Sequence, residues 1–192
     1  MRPSIRLLFC GALLATLAGC VSTPALTYQP SIDNTERLLS DRDKLDVGSF
    51  DAAAGVENRR LGMRGSSLNG GADGTFATYL KDALATELRE AGRFQPMAAT
   101  VVSGRLVENR MSAAGASQGK ATMAADFVVT RGGEQVYART IRIENAWESS
   151  FIGAIAIPAA ITGYSATVQK LLGELFADPE FRRATQTGAI AN

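Results

Sequence analysis

The chain contains no histidine, and it has only two cysteines among its 192 residues. Without histidine it cannot itself supply a Ser-His-Asp triad, a Cys-His nucleophile pair or a zinc site that contains histidine. Two cysteines are also too few for a cluster-type metal site. The sequence therefore predicts a protein that holds no metal or other cofactor and is not an enzyme.

The chain also lacks an excess of one charge sign. It has 20 Lys+Arg against 19 Asp+Glu, a formal net charge of +1, whereas nucleic-acid-binding proteins usually carry a strong basic excess. We therefore expect no nucleic-acid partner. Hydrophobic residues make up 46% of the chain and charged residues 20%, which is typical of one folded domain with a packed core and short tails.

The N-terminus has the layout of a secretory signal peptide. Arg2 and Arg6 precede an apolar stretch over residues 7–16, which is shorter than the roughly 20 residues that span a bilayer as a helix. Leu17-Ala18-Gly19-Cys20 follows, and it resembles the lipobox of bacterial lipoproteins. This resemblance implies cleavage before Cys20 and acylation of its thiol. The alternative is an ordinary signal peptide with a chance cysteine.

The residue after Cys20 indicates which of the two bacterial membranes would hold the lipid anchor. In the lipoproteins that this motif resembles, an aspartate at that position signals retention in the inner membrane, and here the residue is Val21. The resemblance therefore implies an anchor at the periplasmic face of the outer membrane. Acyl chains bind a bilayer with about 0.8 kcal/mol per buried methylene, so several chains give a stable anchor.

The hydrophobic pattern divides the chain into parts and predicts an α+β fold. We expect a signal peptide over 1–19, a lipidated tether over 20–43, one domain over 44–184 and a flexible tail over 185–192. Within the domain, alternating patterns predict strands at 44–50, 100–108, 120–130 and 135–144.

Two helices complete the predicted order β-α-β-β-β-α. Apolar residues at every fourth position from Phe76 to Leu88 indicate one amphipathic helix, with Glu87 on its polar side. The second is predicted at 155–176, with Pro158 in its first turn. We expect both helices to cover one face of a small mixed or antiparallel sheet.

The segment around the start of the second helix is the most unusual in the chain. Residues 151–161 include no polar side chain. One interpretation is an interaction surface, and the other is a buried part of the core. The candidate surface residues are Trp147, Phe151, Ile152, Ile155 and Ile157.

A second candidate site consists of Arg59, Arg60 and Arg64, which precede the glycines before the first helix. Guanidinium groups beside helix N-terminal amides suit phosphate or carboxylate. The alternative is that these arginines are simply solvated.

The lipobox, the element order and the Ala91-Gly92-Arg93-Phe94 end of the first helix together resemble small envelope lipoproteins of the YajG type. They also resemble the β–α core of the lipoprotein CsgG and the N-terminal domain of TolB. The resemblance covers residues 44–176. It implies a non-enzymatic outer-membrane lipoprotein that binds other envelope proteins or assists their assembly.

The alternative function is a carrier of lipid or another small ligand, such as an auxiliary lipoprotein of an envelope transporter. A carrier predicts a closed apolar cavity, whereas a partner-binding protein predicts an exposed apolar patch.

Overall fold

The computed structural model of the protein describes residues 26–63, 65–113 and 117–186. The predicted signal peptide, Cys20, Arg64 and the tail beyond residue 186 lie outside the described residues. The elements in chain order are α1 (Ile32–Leu39), β1 (Asp46–Ala52), β2 (Leu61–Met63), β3 (Ser66–Leu68), α2 (Phe76–Glu90), β4 (Thr100–Ser112), β5 (Gln118–Arg131), β6 (Glu134–Glu148), α3 (Gly153–Ala177) and α4 (Pro179–Ala184).

The main sheet has four strands in the order β1-β4-β5-β6. β1 pairs with β4 in parallel, and the intervening chain crosses over through α2. β4, β5 and β6 are antiparallel neighbours. Gly132 and Gly133 form the turn between β5 and β6 with φ of 59° and 91°, the left-handed region that a two-residue hairpin turn requires. The predicted α+β class and the mixed sheet are confirmed.

Both predicted helices pack on one face of this sheet. Side chains of β5 alternate, so that Ala121, Ala125 and Phe127 enter the core. The predicted stripe of α2 is buried in that core, with exposed fractions of 0% at Phe76, Leu80, Leu84 and Leu88. Thr75 caps the helix by accepting a hydrogen bond from Thr78 N.

The opposite face of the sheet is polar and carries cross-strand ion pairs. Arg142 Nε lies 3.0 Å from Glu108 Oε2, and Lys120 Nζ lies 2.7 Å from Glu144 Oε2. These side chains are partly or largely exposed to solvent. The sheet therefore has one buried face and one solvated face.

The tether predicted for residues 20–43 is wrong in its described part. Leu26, Tyr28 and Leu38 belong to the main core, and α1 packs against both α2 and α3. The domain therefore begins no later than Leu26 instead of at residue 44. The sequence did not predict this packing, because α1 has only eight residues, which are too few to show a clear hydrophobic period.

A buried carboxylate fixes this N-terminal segment. Glu87 is fully buried, so its predicted place on the polar side of α2 is wrong. Its Oε1 accepts hydrogen bonds from Tyr28 Oη at 2.5 Å, Ser31 N at 3.1 Å and Asn34 Nδ2 at 3.0 Å. Burial and the adjacent Glu87 raise the pKa of the Tyr28 hydroxyl, so this hydroxyl remains a donor. Three donors from residues 28–34 thus converge on one acidic group.

Replacing Glu87 with alanine should lower the free energy of unfolding by about 1–3 kcal/mol, because it leaves buried donors without an acceptor. Thermal unfolding measures the loss, and hydrogen exchange should show faster exchange over 31–39. Glu90→Ala is the matched control, since Glu90 is exposed on the same helix. Equal stability of the two variants would show that apolar contacts alone hold the segment.

The remaining differences from the prediction lie at element ends. α3 begins at Gly153, so Pro158 lies inside the helix and not in its first turn. Pro158 is exposed. β2 and β3 pair as a short antiparallel sheet outside the predicted strands. Thr185, predicted in the flexible tail, is buried and donates to Phe181 O at 3.0 Å.

Candidate functional site

Three of the five predicted surface residues project into solvent at the start of α3. The exposed fractions are 79% for Phe151, 60% for Ile152 and 56% for Ile155. Ile152 is the N-cap residue, and Ile155 N donates to Ile152 O at 3.0 Å. The first turn of the helix therefore holds Ile152 and Ile155 on one side. We call Phe151, Ile152 and Ile155 the apolar tip.

The other two predicted residues, Trp147 and Ile157, are half-buried and pack toward the domain. Both pack against a small cluster of Met63, Ala113 and Ala160. A Cβ placed on Gly163 would lie only 2.2 Å from Trp147 Cδ2, so the indole rests directly on the helix backbone. Trp147 therefore orients α3, whereas the tip residues meet solvent.

The sequence of α3 explains why this division arises. Its first half turns small residues toward the domain, and Ala156 and Ala160 are buried with exposed fractions of 1% and 0%. The larger Ile155 is left on the opposite side. One side of this segment is therefore core and the other is exposed, and the interaction surface stays a prediction for the exposed residues.

The tip lies in an uncharged part of the chain. Residues 149–169 include no aspartate, glutamate, lysine or arginine. Large exposed apolar side chains that occur together, without charged neighbours in sequence, are typical of interaction sites.

The predicted anion site is not assembled at the start of α2. Asn58 already occupies amides of that helix end, since Phe76 N donates to Asn58 O at 2.8 Å and Ala77 N donates to Asn58 Oδ1 at 2.9 Å. Arg59 and Arg60 are exposed, and Arg64 lies outside the described residues. Two of the amides on which this site depended are therefore already bonded within the chain.

Two clefts in the described part of the domain are open to solvent and lined in part by charged side chains. A cleft of about 440 Å³ between β6 and α4 is lined by Arg131, Glu180 and Arg183, among others. A cleft of about 300 Å³ between α1 and α3 includes Asp33 and Lys170. A lipid carrier needs an enclosed apolar cavity, and these clefts lack that character.

Two further features bear on possible sites. Within residues 26–63, 65–113 and 117–186, no three acidic, cysteine or histidine side chains are grouped so that they could hold a metal ion. In the same residues, the helices are too short or too polar to cross a bilayer.

Comparison with known proteins identifies structural neighbours only. No family model matches the chain, and no curated protein matches it in sequence. Protein XCC0632 from Xanthomonas campestris, of the family model DUF330, is 17% identical with a TM-score of 0.53, and the match covers 80% of this chain and 93% of that chain. This likeness shows a shared fold.

Two further solved structures are more distant. The hypothetical protein CT253 from Chlamydia trachomatis is 10% identical with a TM-score of 0.44, and the match covers 72% of this chain and 96% of that chain. A minor lipoprotein from Acinetobacter baumannii is 11% identical with a TM-score of 0.42, over 73% of this chain and 92% of that chain. The resemblance to YajG-type lipoproteins, CsgG and TolB stays a prediction.

Proposed function

We propose that this chain is a non-enzymatic lipoprotein of the bacterial envelope, anchored through Cys20 at the periplasmic face of the outer membrane. Its domain binds another envelope protein through the apolar tip and assists the assembly of that protein. The observation that carries this proposal is the exposure of Phe151, Ile152 and Ile155, each of which is more than half exposed. A partner that covers these side chains gains about 25 cal/mol per Å² of apolar surface removed from water.

The chemistry of α3 favours a protein partner over a lipid surface. Helices that lie in a membrane interface usually carry lysine or arginine on their polar side, where these side chains meet anionic headgroups. The first basic residue of α3 is Lys170, far along the helix from the tip. A small apolar tip on a rigid helix instead fits an apolar pocket of another protein.

Two observations support a binding role over the other functions considered. The absence of histidine removes the common general base of hydrolytic enzymes. The clefts are open and lined by charged groups, whereas the tip has the exposed apolar character expected of a partner-binding protein.

Ile155→Asp should abolish partner binding while the melting temperature stays nearly unchanged. Ile155 is 56% exposed, so a carboxylate there costs little in the free protein, but it must lose its water when a partner covers the tip. A photo-crosslinking residue at Phe151, used in intact envelopes, measures binding as a protein adduct of discrete mass. We expect that adduct to disappear when Ile155→Asp is added.

Leu39→Asp is the matched control, because Leu39 is 60% exposed on α1, a different element. It should leave the adduct intact. Unfolding or aggregation of Ile155→Asp would contradict the proposal, since it would place Ile155 in the core. Adducts with lipid only would assign the tip to the membrane surface instead.

A further inference from the structure

The outer edge of β6 presents unpaired backbone groups. In the described part of the chain, β6 has β5 as its only neighbouring strand. Ser149 N donates to Ser117 O at 2.9 Å, and the register is unbroken from Gln118–Glu148 to Val129–Tyr137. Antiparallel pairs alternate between bonded and non-bonded, so the odd-numbered residues of β6 bond to β5. The residues whose N–H and C=O point outward are Ala138, Thr140, Arg142, Glu144, Ala146 and Glu148.

The helical layer leaves room beside this edge. One cleft of about 440 Å³ separates residues 136–138 of β6 from α4. Another of about 380 Å³ lies between residues 139–142 and the end of α3, beside the ion pair that Arg139 forms with Asp178 at 2.9 Å. An edge of this length with space beside it is a template for a further strand.

We propose that two copies of this chain pair through their β6 edges, antiparallel, around a two-fold axis at Ile143. The pairing joins the two sheets into one. In this register Arg142 of each copy lies opposite Glu144 of the second copy, and Ile143 faces Ile143. Opposite charges across an antiparallel pair are stabilising, whereas like charges directly opposite are destabilising.

The charges of β6 disfavour three nearby registers. With the axis at residue 142, Arg142 would face Arg142, and with the axis at residue 144, Glu144 would face Glu144. With the axis at residue 141, Glu134 would face Glu148. The register centred on Ile143 avoids all three contacts and places Arg142 opposite Glu144 twice. Within each chain, Arg142 already contacts Glu144 at 2.9 Å and Glu108 at 3.0 Å, so the pairing joins two existing clusters of oppositely charged side chains.

The symmetry of this arrangement suits two chains held at one membrane. A two-fold axis between antiparallel edge strands runs perpendicular to the joined sheet, so both helical layers lie on the same side. α1 packs on α2 and α3, which places both N-terminal segments on that side. The register pairs residues 138–148, which do not include the apolar tip, so this proposal is tested independently of the proposed function.

Disulfide cross-linking tests the register in the full chain extracted in detergent. Residue 143 forms a non-bonded pair with its copy, with Cα atoms about 4.5 Å apart, within the range of a disulfide. Ile143→Cys should therefore give a cross-linked dimer on oxidation, whereas the wild-type chain should not. Ile141→Cys is the matched control, because two copies of residue 141 would lie about 13 Å apart along the strands.

A charge exchange tests the same pairing without a cysteine. Arg142→Glu should raise the dimer Kd at least about tenfold, because two attractive pairs become repulsive. Arg142→Glu combined with Glu144→Arg should restore dimers, since opposite charges face each other again. Arg142 and Glu144 are about half exposed, so both variants should fold, and sedimentation measures their mass. Because these side chains also pair with Glu108 and Lys120 within the chain, thermal unfolding of each variant separates a loss of stability from a loss of pairing.

Cross-linking of Ile143→Cys, together with loss and recovery of the dimer in the charge variants, would support the proposal. A monomeric mass for the wild-type chain would overturn it. Equal cross-linking of Ile141→Cys and Ile143→Cys would overturn the register. A disulfide from Ile143→Cys to a different protein would show that the edge accepts a foreign strand instead of a second copy.

Discussion

Leu84→Ala should lower the free energy of unfolding by about 2–5 kcal/mol. Leu84 is fully buried at the centre of the α2 stripe, between the sheet and the other core helices. Truncation removes the transfer free energy of the lost methyl groups and leaves a cavity whose lining atoms lose their contacts. Chemical unfolding of the unlipidated chain from residue 21 measures the loss.

The matched control is Leu39→Ala, which removes the same atoms from a leucine that is 60% exposed on α1. That variant should change stability by no more than about 0.5 kcal/mol, as is usual at surface positions. The contrast tests burial itself, because the two substitutions are chemically identical. A loss at Leu84 as small as that at Leu39 would mean that the α2 stripe does not face a packed core.

Long periodic elements could be predicted from the sequence because each of them repeats its signal many times. The fourfold stripe of α2 and the alternation of β5 give the fold class and the common face for both helices. The two glycines after β5 identify the hairpin, since few other residues adopt positive φ. These features need no knowledge of distant contacts.

The N-terminal segment could not be predicted in this way, because its structure depends on contacts far apart in sequence. Tyr28 and Glu87 are separated by 59 positions, and neither residue carries a local signal of that pairing. A glutamate on a helix is ordinarily solvated. The three donors that converge on its Oε1 offset part of the cost of its burial.

The candidate site could be predicted only in part, because part of it depends on contacts between residues that are far apart in sequence. The uncharged run at residues 149–169 is visible in the sequence, and it identifies the segment that contains the apolar tip. The sequence does not show which residues of this run are exposed. Their exposure depends on how α3 is oriented, and Trp147 orients it by packing against Gly163. The open edge of β6 depends on strand order, and strand order has no local pattern.

Cys20→Ala should release the protein from membranes and abolish incorporation of labelled palmitate. By the lipobox resemblance, the thiol of Cys20 is the acylation point, and the domain has no helix in its described part that crosses a bilayer. Membrane fractionation and labelling measure both effects. Cys10→Ala is the matched control, because Cys10 lies in the apolar stretch that would be removed with the signal peptide.

The packing of Leu26 gives this anchor a geometric consequence. Only residues 21–25 would separate an acylated Cys20 from the first described core residue, Leu26, and the six Cα–Cα steps from Cys20 to Leu26 reach at most about 20 Å. The domain is therefore expected to lie close to the bilayer surface instead of moving on a long tether. Glu87→Ala should lengthen this connection by releasing residues 26–39, and protease cleavage in that segment of the membrane-bound chain would detect the change.

A second substitution tests the choice of membrane separately from acylation. Val21→Asp should shift the acylated protein toward the inner membrane, if the chain follows the lipoproteins that its lipobox resembles, while palmitate labelling continues.

Continued labelling of Cys20→Ala would contradict the acylation of this cysteine. If Cys20→Ala instead loses the label but stays on membranes, the protein is not held there by a lipid chain. The double variant Cys20→Ala/Ile155→Asp then tests whether the apolar tip binds the membrane. Release of the double variant alone would then assign membrane contact to the tip.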